Sequence, residues 1–124
     1  MTKNHLVVEG AGGVLVPLNS KDCIIDLIEE QDLVVVVSRH YLGSINHTLL
    51  TVESLINSGK KILGLVFSGD QNSSTESIIL SKTKLPMIGR IKQETVFNKQ
   101  VIAKYALEFK QSIGKIIREL DTFN

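Results

Sequence analysis

Four short runs of apolar, mostly β-branched residues punctuate the chain: LVVEG (6–10), DLVVVVSRH (32–40), KILGLVFSG (61–69) and LPMIGRI (85–91). None alternates apolar with polar positions as a half-exposed strand does. Continuous apolar runs suit strands buried on both faces of a parallel sheet. Between the runs the period changes to that of a helix. In KDCIIDLIEEQ (21–31), Ile24, Leu27 and Ile28 share one side. In SINHTLLTVESLINSG (44–59), Ile45, Leu49, Val52 and Ile56 do so, with Ser44 placed as an N-cap and Gly59 as a C-terminal stop. SSTESIILSK (73–82) reads as a shorter helix. The last segment has the clearest stripe, formed by Ile102, Tyr105, Ala106, Phe109, Ile113, Ile116, Ile117 and Leu120. Strand alternating with helix predicts stacked βαβ units, and hence one α/β domain over residues 1–124. Its expected form is three-layered, a mostly parallel sheet covered on both faces.

Composition narrows the function classes. A chain of 124 residues is long enough for one domain and too short for two. A formal net charge of +1 carries neither the basic excess of a nucleic-acid binder nor the acidic run of a disordered tail. The longest apolar run, LVVVV (33–37), falls far short of a membrane span. No charged n-region with a long apolar h-region precedes Leu6, so no signal peptide is expected. Cys23 is the only cysteine, which excludes an intramolecular disulfide and leads to the expectation of a cytoplasmic setting. Its apolar neighbours in CIIDLI suit a small core residue rather than a reactive thiol.

Ligands in open α/β sheets bind beyond the carboxyl ends of the strands, so the loops after the four runs matter most. In the first, Glu9 is followed by Gly10, Ala11, Gly12 and Gly13. Unobstructed backbone N–H groups there suit anionic oxygens, and Glu9 is the right hard ligand for Mg²⁺. The same loop equally suits a tight turn whose glycines supply positive φ. No GxxxxGK[ST] phosphate loop occurs; the sole Gly-Lys pair, Gly59-Lys60, is followed by Lys61 and ends a helix. In the second loop, Gly43 and Ser44 open a long helix whose free N–H groups and dipole favour an anion, with Arg39 and His40 just upstream. The competing reading makes Ser44 and Asn46 simple capping residues and His47 a first-turn surface histidine. His47 has no second His or Cys at ligand spacing, and no GxSxG elbow supports Ser-His-Asp catalysis. Asp70 in SGDQN reads as a turn residue.

Taken together, VEGAGG (8–13) and LGSINHTLLT (42–51) resemble the dethiobiotin synthase family, and ILGLVFSG and LPMIGRI fall in matching order and spacing. The resemblance covers nearly the whole chain but corresponds to the C-terminal half or so of the family. It implies a partial P-loop NTPase-like fold lacking the P-loop strand, which in such folds lies mid-sheet beside DLVVVV. It further implies an ATP- and Mg²⁺-dependent ligase that closes the ureido ring of dethiobiotin from 7,8-diaminononanoate and CO₂ in biotin biosynthesis. By position, Glu9 matches the family's Mg²⁺ ligand, and Gly10, Ala11, Gly12 and Gly13 match the loop beside the phosphates. Leu42, Gly43, Ser44, Ile45 and Asn46 match the helix start that receives the diamine acid's carboxylate, typically across a homodimer interface. The family's asparagine at the adenine edge is Ser68 here, and the proline of its G-x-I-P turn is Lys92. A single hydroxyl replaces a paired donor and acceptor, and a flexible cation replaces a turn-fixing ring. Without a P-loop lysine the chain is not expected to turn over ATP alone. The expected partners are therefore further copies of the chain or a separate P-loop-bearing chain, unless LVV and LVVVV pair directly. The alternative is a non-catalytic module that keeps the anion-binding helix end. Related amidoligases such as the cobyrinic acid synthases share a glycine-rich strand-loop, but LGSINHTLLT argues against them.

Overall fold

In the computed structural model, residues 6–121 are described; the segment before Leu6, considered above for a signal peptide, lies outside them. Three strands form the sheet: β1 (Leu33–Arg39), β2 (Lys61–Ser68) and β3 (Met87–Ile91). They lie in the order β1-β2-β3 and are parallel throughout, with Val36 opposite Leu65 and Phe67 opposite Arg90. Helix α1 (Ser44–Asn57) joins β1 to β2, α2 (Ser73–Thr83) joins β2 to β3, and α3 (Lys99–Asp121) follows β3.

The apolar runs explain the layering. Val36, Leu65 and Phe67 project to one face, where they pack with Val52 and Leu55 of α1, Ile79 of α2 and Ile25. Leu63, Val66 and Ile88 project to the other, where Ile116, Phe109 and Ile113 of α3 cover them. The result is the expected three-layer α/β arrangement. A shift of register near Gly64 lets Leu63 and Leu65, two residues apart, serve opposite faces. Gly64 is required there because a Cβ would sit 2.6 Å from the Pro86 carbonyl oxygen. Gly89 admits α3, since a Cβ would meet the Phe109 ring at 2.5 Å.

Several sequence expectations need correction. LVVEG forms no strand: Leu6, Val7 and Val8 are 84, 90 and 73% exposed, and the segment does not pair with β1. A strand needs ladder partners for its N–H and C=O groups, and without a neighbour this backbone remains hydrated. KDCIIDLIEEQ forms only a 3-10 turn at Ile24–Leu27, which buries Ile25 rather than Leu27. Local side chains compete for its backbone: Asn19 Oδ1 accepts from the Lys21 and Asp22 N–H groups, and Asp26 Oδ2 accepts from Cys23 N–H. Ser44 is the first helical residue of α1, not its cap; Gly43, at φ 94°, takes that place. The stripe on α3 is only partly covered, because Ile102, Ile117 and Leu120 remain exposed while Tyr105 and Ile116 are buried.

Candidate functional site

The carboxyl ends of the three strands hold two hollows with a buried charge cluster between them. Two backbone bonds extend the ladder past the strand ends, from His40 N–H to Ser68 O at 3.1 Å and from Gly69 N–H to Ile91 O at 2.9 Å. These fix the exits of β1, β2 and β3 side by side. The first hollow is a cleft of about 180 Å³ lined by Arg39, Ser68, Gly69, Ile91, Lys92, Gln93, Glu94 and Phe97. That is smaller than an ordinary small-molecule pocket, so a bound ligand would leave one side open to another surface.

The second is an open groove of about 710 Å³ walled by Tyr41–Asn46 and Leu49 on one side and by Asn72 and Thr75 on the other. Its helix start is set by β1, because Ser38 Oγ and Thr48 Oγ1 lie 2.7 Å apart in a buried bond that pins α1 to the strand. Gly43 adopts a left-handed backbone that few other residues tolerate. The Ser44 N–H donates to the Tyr41 carbonyl at 3.0 Å, and the first intrahelical bond runs from His47 N–H to Gly43 O. Of the amides expected to hold an anion, Ser44's is therefore already engaged, leaving Ile45 and Asn46 as the first-turn donors. Tyr41, which lines the groove, is bonded to His47, Oη to Nδ1, at 2.7 Å.

Between the hollows sits Glu76, in the first turn of α2 and 5% exposed. It accepts from His40 Nε2 at 2.9 Å and from Arg90 Nε at 2.9 Å, with a second bond from Arg90 Nη2. Burial works against its charge, but the hydrogen bonds from Arg90 and His40 and the attraction of Arg90 outweigh that and hold its pKa below the ordinary 4.5. The His40 ring stacks on Phe67 at 5.6 Å. Its Nδ1 is buried and has no hydrogen-bond partner among the described residues.

The sequence-predicted residues separate into three places. Leu42, Gly43, Ser44, Ile45 and Asn46 all line the groove, and Ser68 lines the cleft. Arg39 belongs to the cleft rather than to the helix start, and His40 is committed to Glu76. Glu9 and Gly10–Gly13 line neither hollow; Glu9 is exposed in the unpaired N-terminal segment. Positive φ at Gly12 (84°) and Gly13 (117°) meets the turn requirement of that loop, and a Cβ on Gly13 would meet nothing within 4 Å. The loop thus satisfies the turn reading and still presents open backbone. Among the described residues no group of three or more His, Cys, Asp or Glu gathers as a metal cage. Mg²⁺ is commonly held by one or two carboxylates together with substrate phosphates and water, so a single carboxylate such as that of Glu9 is compatible with a Mg²⁺ site. Sequence reasoning missed Glu76, Arg90, Glu94 and Tyr105. A charge inside the apolar run MIGRI was the available signal for Arg90.

Three parallel strands, helices on both faces and hollows at the carboxyl edge are the architecture of a P-loop NTPase-like α/β domain. The model of the AAA domain family matches residues 1–101, and the chain belongs to that family. Within it the chain is related to the dethiobiotin synthetases. It is 49% identical over 115 residues to an ATP-dependent dethiobiotin synthetase from Christiangramia forsetii, covering 93% of this chain and 56% of that protein. It is 45% identical over 106 residues to the corresponding enzyme from Cytophaga hutchinsonii, covering 85% and 52%. The chain thus spans about half the length of the curated relatives it matches. Among the described residues no helix is long and apolar enough to cross a membrane.

Proposed function

We propose that this chain forms the substrate-carboxylate side and part of the nucleotide side of an ATP- and Mg²⁺-dependent ligase of biotin biosynthesis, closing the ureido ring of dethiobiotin. The observation that carries the reading is the groove at the start of α1, where Leu42–Asn46 converge with open first-turn amides beside a second hollow at Ser68. The diamine acid's carboxylate tail rests on the Ile45 and Asn46 amides, and the helix dipole favours its charge. Ser68 and the cleft would hold the nucleotide base, and the Gly10–Gly13 amides would bind its phosphates. Glu9 would hold Mg²⁺ in part, and the ion would supply charge neutralisation at the phosphates. Glu9 and the glycine loop orient the anions, and the lysine-bearing grip on the triphosphate comes from a P-loop-bearing segment or chain.

The β1 edge supports that requirement. Among the described residues β1 is hydrogen-bonded only to β2, and α3 leaves its outer face uncovered, with Val37 64% exposed. A parallel strand inserted between β1 and Leu6–Val8 would give all three backbones ladder partners and return Glu9 to a strand end. Alone, the chain covers this edge by self-association in a cytoplasmic setting. Val37→Lys places a charge on the edge and is expected to shift sedimentation toward monomer. An unchanged distribution would move the association surface elsewhere.

The deciding experiment combines this chain with the P-loop-bearing N-terminal portion of a dethiobiotin synthetase. It measures ATP- and bicarbonate-dependent ring closure of 7,8-diaminononanoate. Activity above either part alone is expected. No gain and no complex would sink the proposal, and diamine acid binding without any nucleotide affinity would instead identify a binding module.

A further inference from the structure

The segment between β3 and α3, residues 92–98, has no regular structure, yet its first three residues line the cleft. One hydroxyl holds them. Tyr105 Oη accepts from the Lys92 backbone N–H at 3.0 Å and donates to Glu94 Oε1. The phenol is buried, its ring lies against Phe109 at a centroid distance of 6.3 Å, and Phe109 packs onto Gly89 of β3. Helix α3 is thus a fixed post, and Tyr105 ties the cleft wall to it. The far end of the segment is fixed separately, where Asn98 Oδ1 accepts from the Gln100 and Val101 N–H groups.

The bond to Lys92 answers a specific need. Ile91 is the last ladder residue, so the next N–H leaves the sheet without a strand partner. A proline there would have no N–H to satisfy and would hold φ by its ring. Lys92 has both an amide and a free φ, and the Tyr105 hydroxyl supplies the acceptor. Glu94 completes the arrangement by accepting the phenol proton, so the hydroxyl keeps a lone pair aimed at Lys92.

We infer that Tyr105 and Glu94 are positioning residues that fix the Lys92–Glu94 wall of the cleft and so set its fit to a ligand. The nucleotide consequence rests on the function proposed above, whereas the mechanical consequence does not. The hydrogen bond that Tyr105 donates to Glu94, together with burial, raises the Tyr105 pKa above its ordinary 10.0. Stability from the clamp is therefore present below pH 10 and lost as pH rises through the raised folded value.

The experiment compares the full chain with Tyr105→Phe, which keeps the ring, and with Tyr105→Phe combined with Lys92→Pro. In Tyr105→Phe, segment 92–94 loses protection from amide exchange at Lys92 while strand-centre amides of β2 keep theirs. MgATP binding to the chain joined by its P-loop-bearing partner weakens about 3- to 10-fold, the size of one hydrogen bond. Adding proline, which suits the extended Ile91 before it, restores the affinity. Unchanged Lys92 exchange in Tyr105→Phe would overturn the clamp. So would an affinity loss that proline leaves in place. If the unmodified pair binds no MgATP, the proposed function fails and exchange at Lys92 still decides the clamp.

Discussion

Glu76→Ala is expected to lower the unfolding free energy by about 3 kcal/mol, at the lower end of what removing one partner from a buried ion pair costs. The carboxylate accepts from both His40 and Arg90. Its removal leaves a guanidinium and an imidazole facing each other with no acceptor between them. Some water reaches Arg90, whose side chain is 16% exposed, and this keeps the loss from being larger. The charge, not the volume, is responsible, so Glu76→Leu combined with Arg90→Met is expected to recover part of the loss, with His40 Nε2 still lacking its acceptor. Urea unfolding of the three proteins measures this. A double variant no better than Glu76→Ala would assign the effect to packing.

The same carboxylate governs acid sensitivity. Its folded pKa lies below the unfolded value near 4.5, so the folded state releases that proton more readily than the unfolded one. The stability it contributes is complete above pH 4.5 and is lost as pH falls through the depressed folded value. The parent chain therefore loses stability more steeply below pH 4.5 than Glu76→Ala does. Parallel pH profiles for the two would show that the cluster carries no net charge coupling.

What the sequence disclosed follows from periodicity. DLVVVV, KILGLVF and PMIGRI became the three parallel strands, with α1, α2 and α3 between or after them, although only the central KILGLVF packs against both helical layers. β1 buries Val36 on one face and leaves Val37 exposed on the other. The start of α1 at Gly43-Ser44 was also legible from the long apolar period that follows it, whereas Leu42, Ile45 and Asn46 were implied by the family resemblance. LVVEG misled because strand propensity cannot replace a ladder partner, and KDCIIDLIEEQ misled because Asn19 and Asp26 compete for its amides. The Glu76 cluster was illegible for a different reason. His40 follows β1, Glu76 lies in α2 and Arg90 in β3, and only the parallel register brings their chain positions together. Tyr105 looked like one more member of an apolar stripe; its hydroxyl mattered only once Lys92 and Glu94 stood beside it.

In the reconstituted pair, Glu9→Gln is expected to reduce ATP-dependent ring closure about 100-fold or more, because a metal ion contributes several kcal/mol by neutralising transferred charge. The amide keeps the size and hydrogen-bonding capacity of the side chain but offers no anionic oxygen to a hard cation. Glu9 is exposed and belongs to no strand, so the substitution is expected to leave unfolding of the isolated chain within about 0.5 kcal/mol of the parent. Diamine acid affinity is likewise expected to hold, since the seat proposed for that ligand is the start of α1. Raising Mg²⁺ should recover part of the lost rate, as expected when a ligand to the ion has been weakened rather than a fold disturbed. A rate that falls with no response to Mg²⁺ would leave Glu9 as a turn residue. The carboxylate would then have to come from the P-loop-bearing side, since Gly10–Gly13 supply only backbone N–H groups and carbonyls.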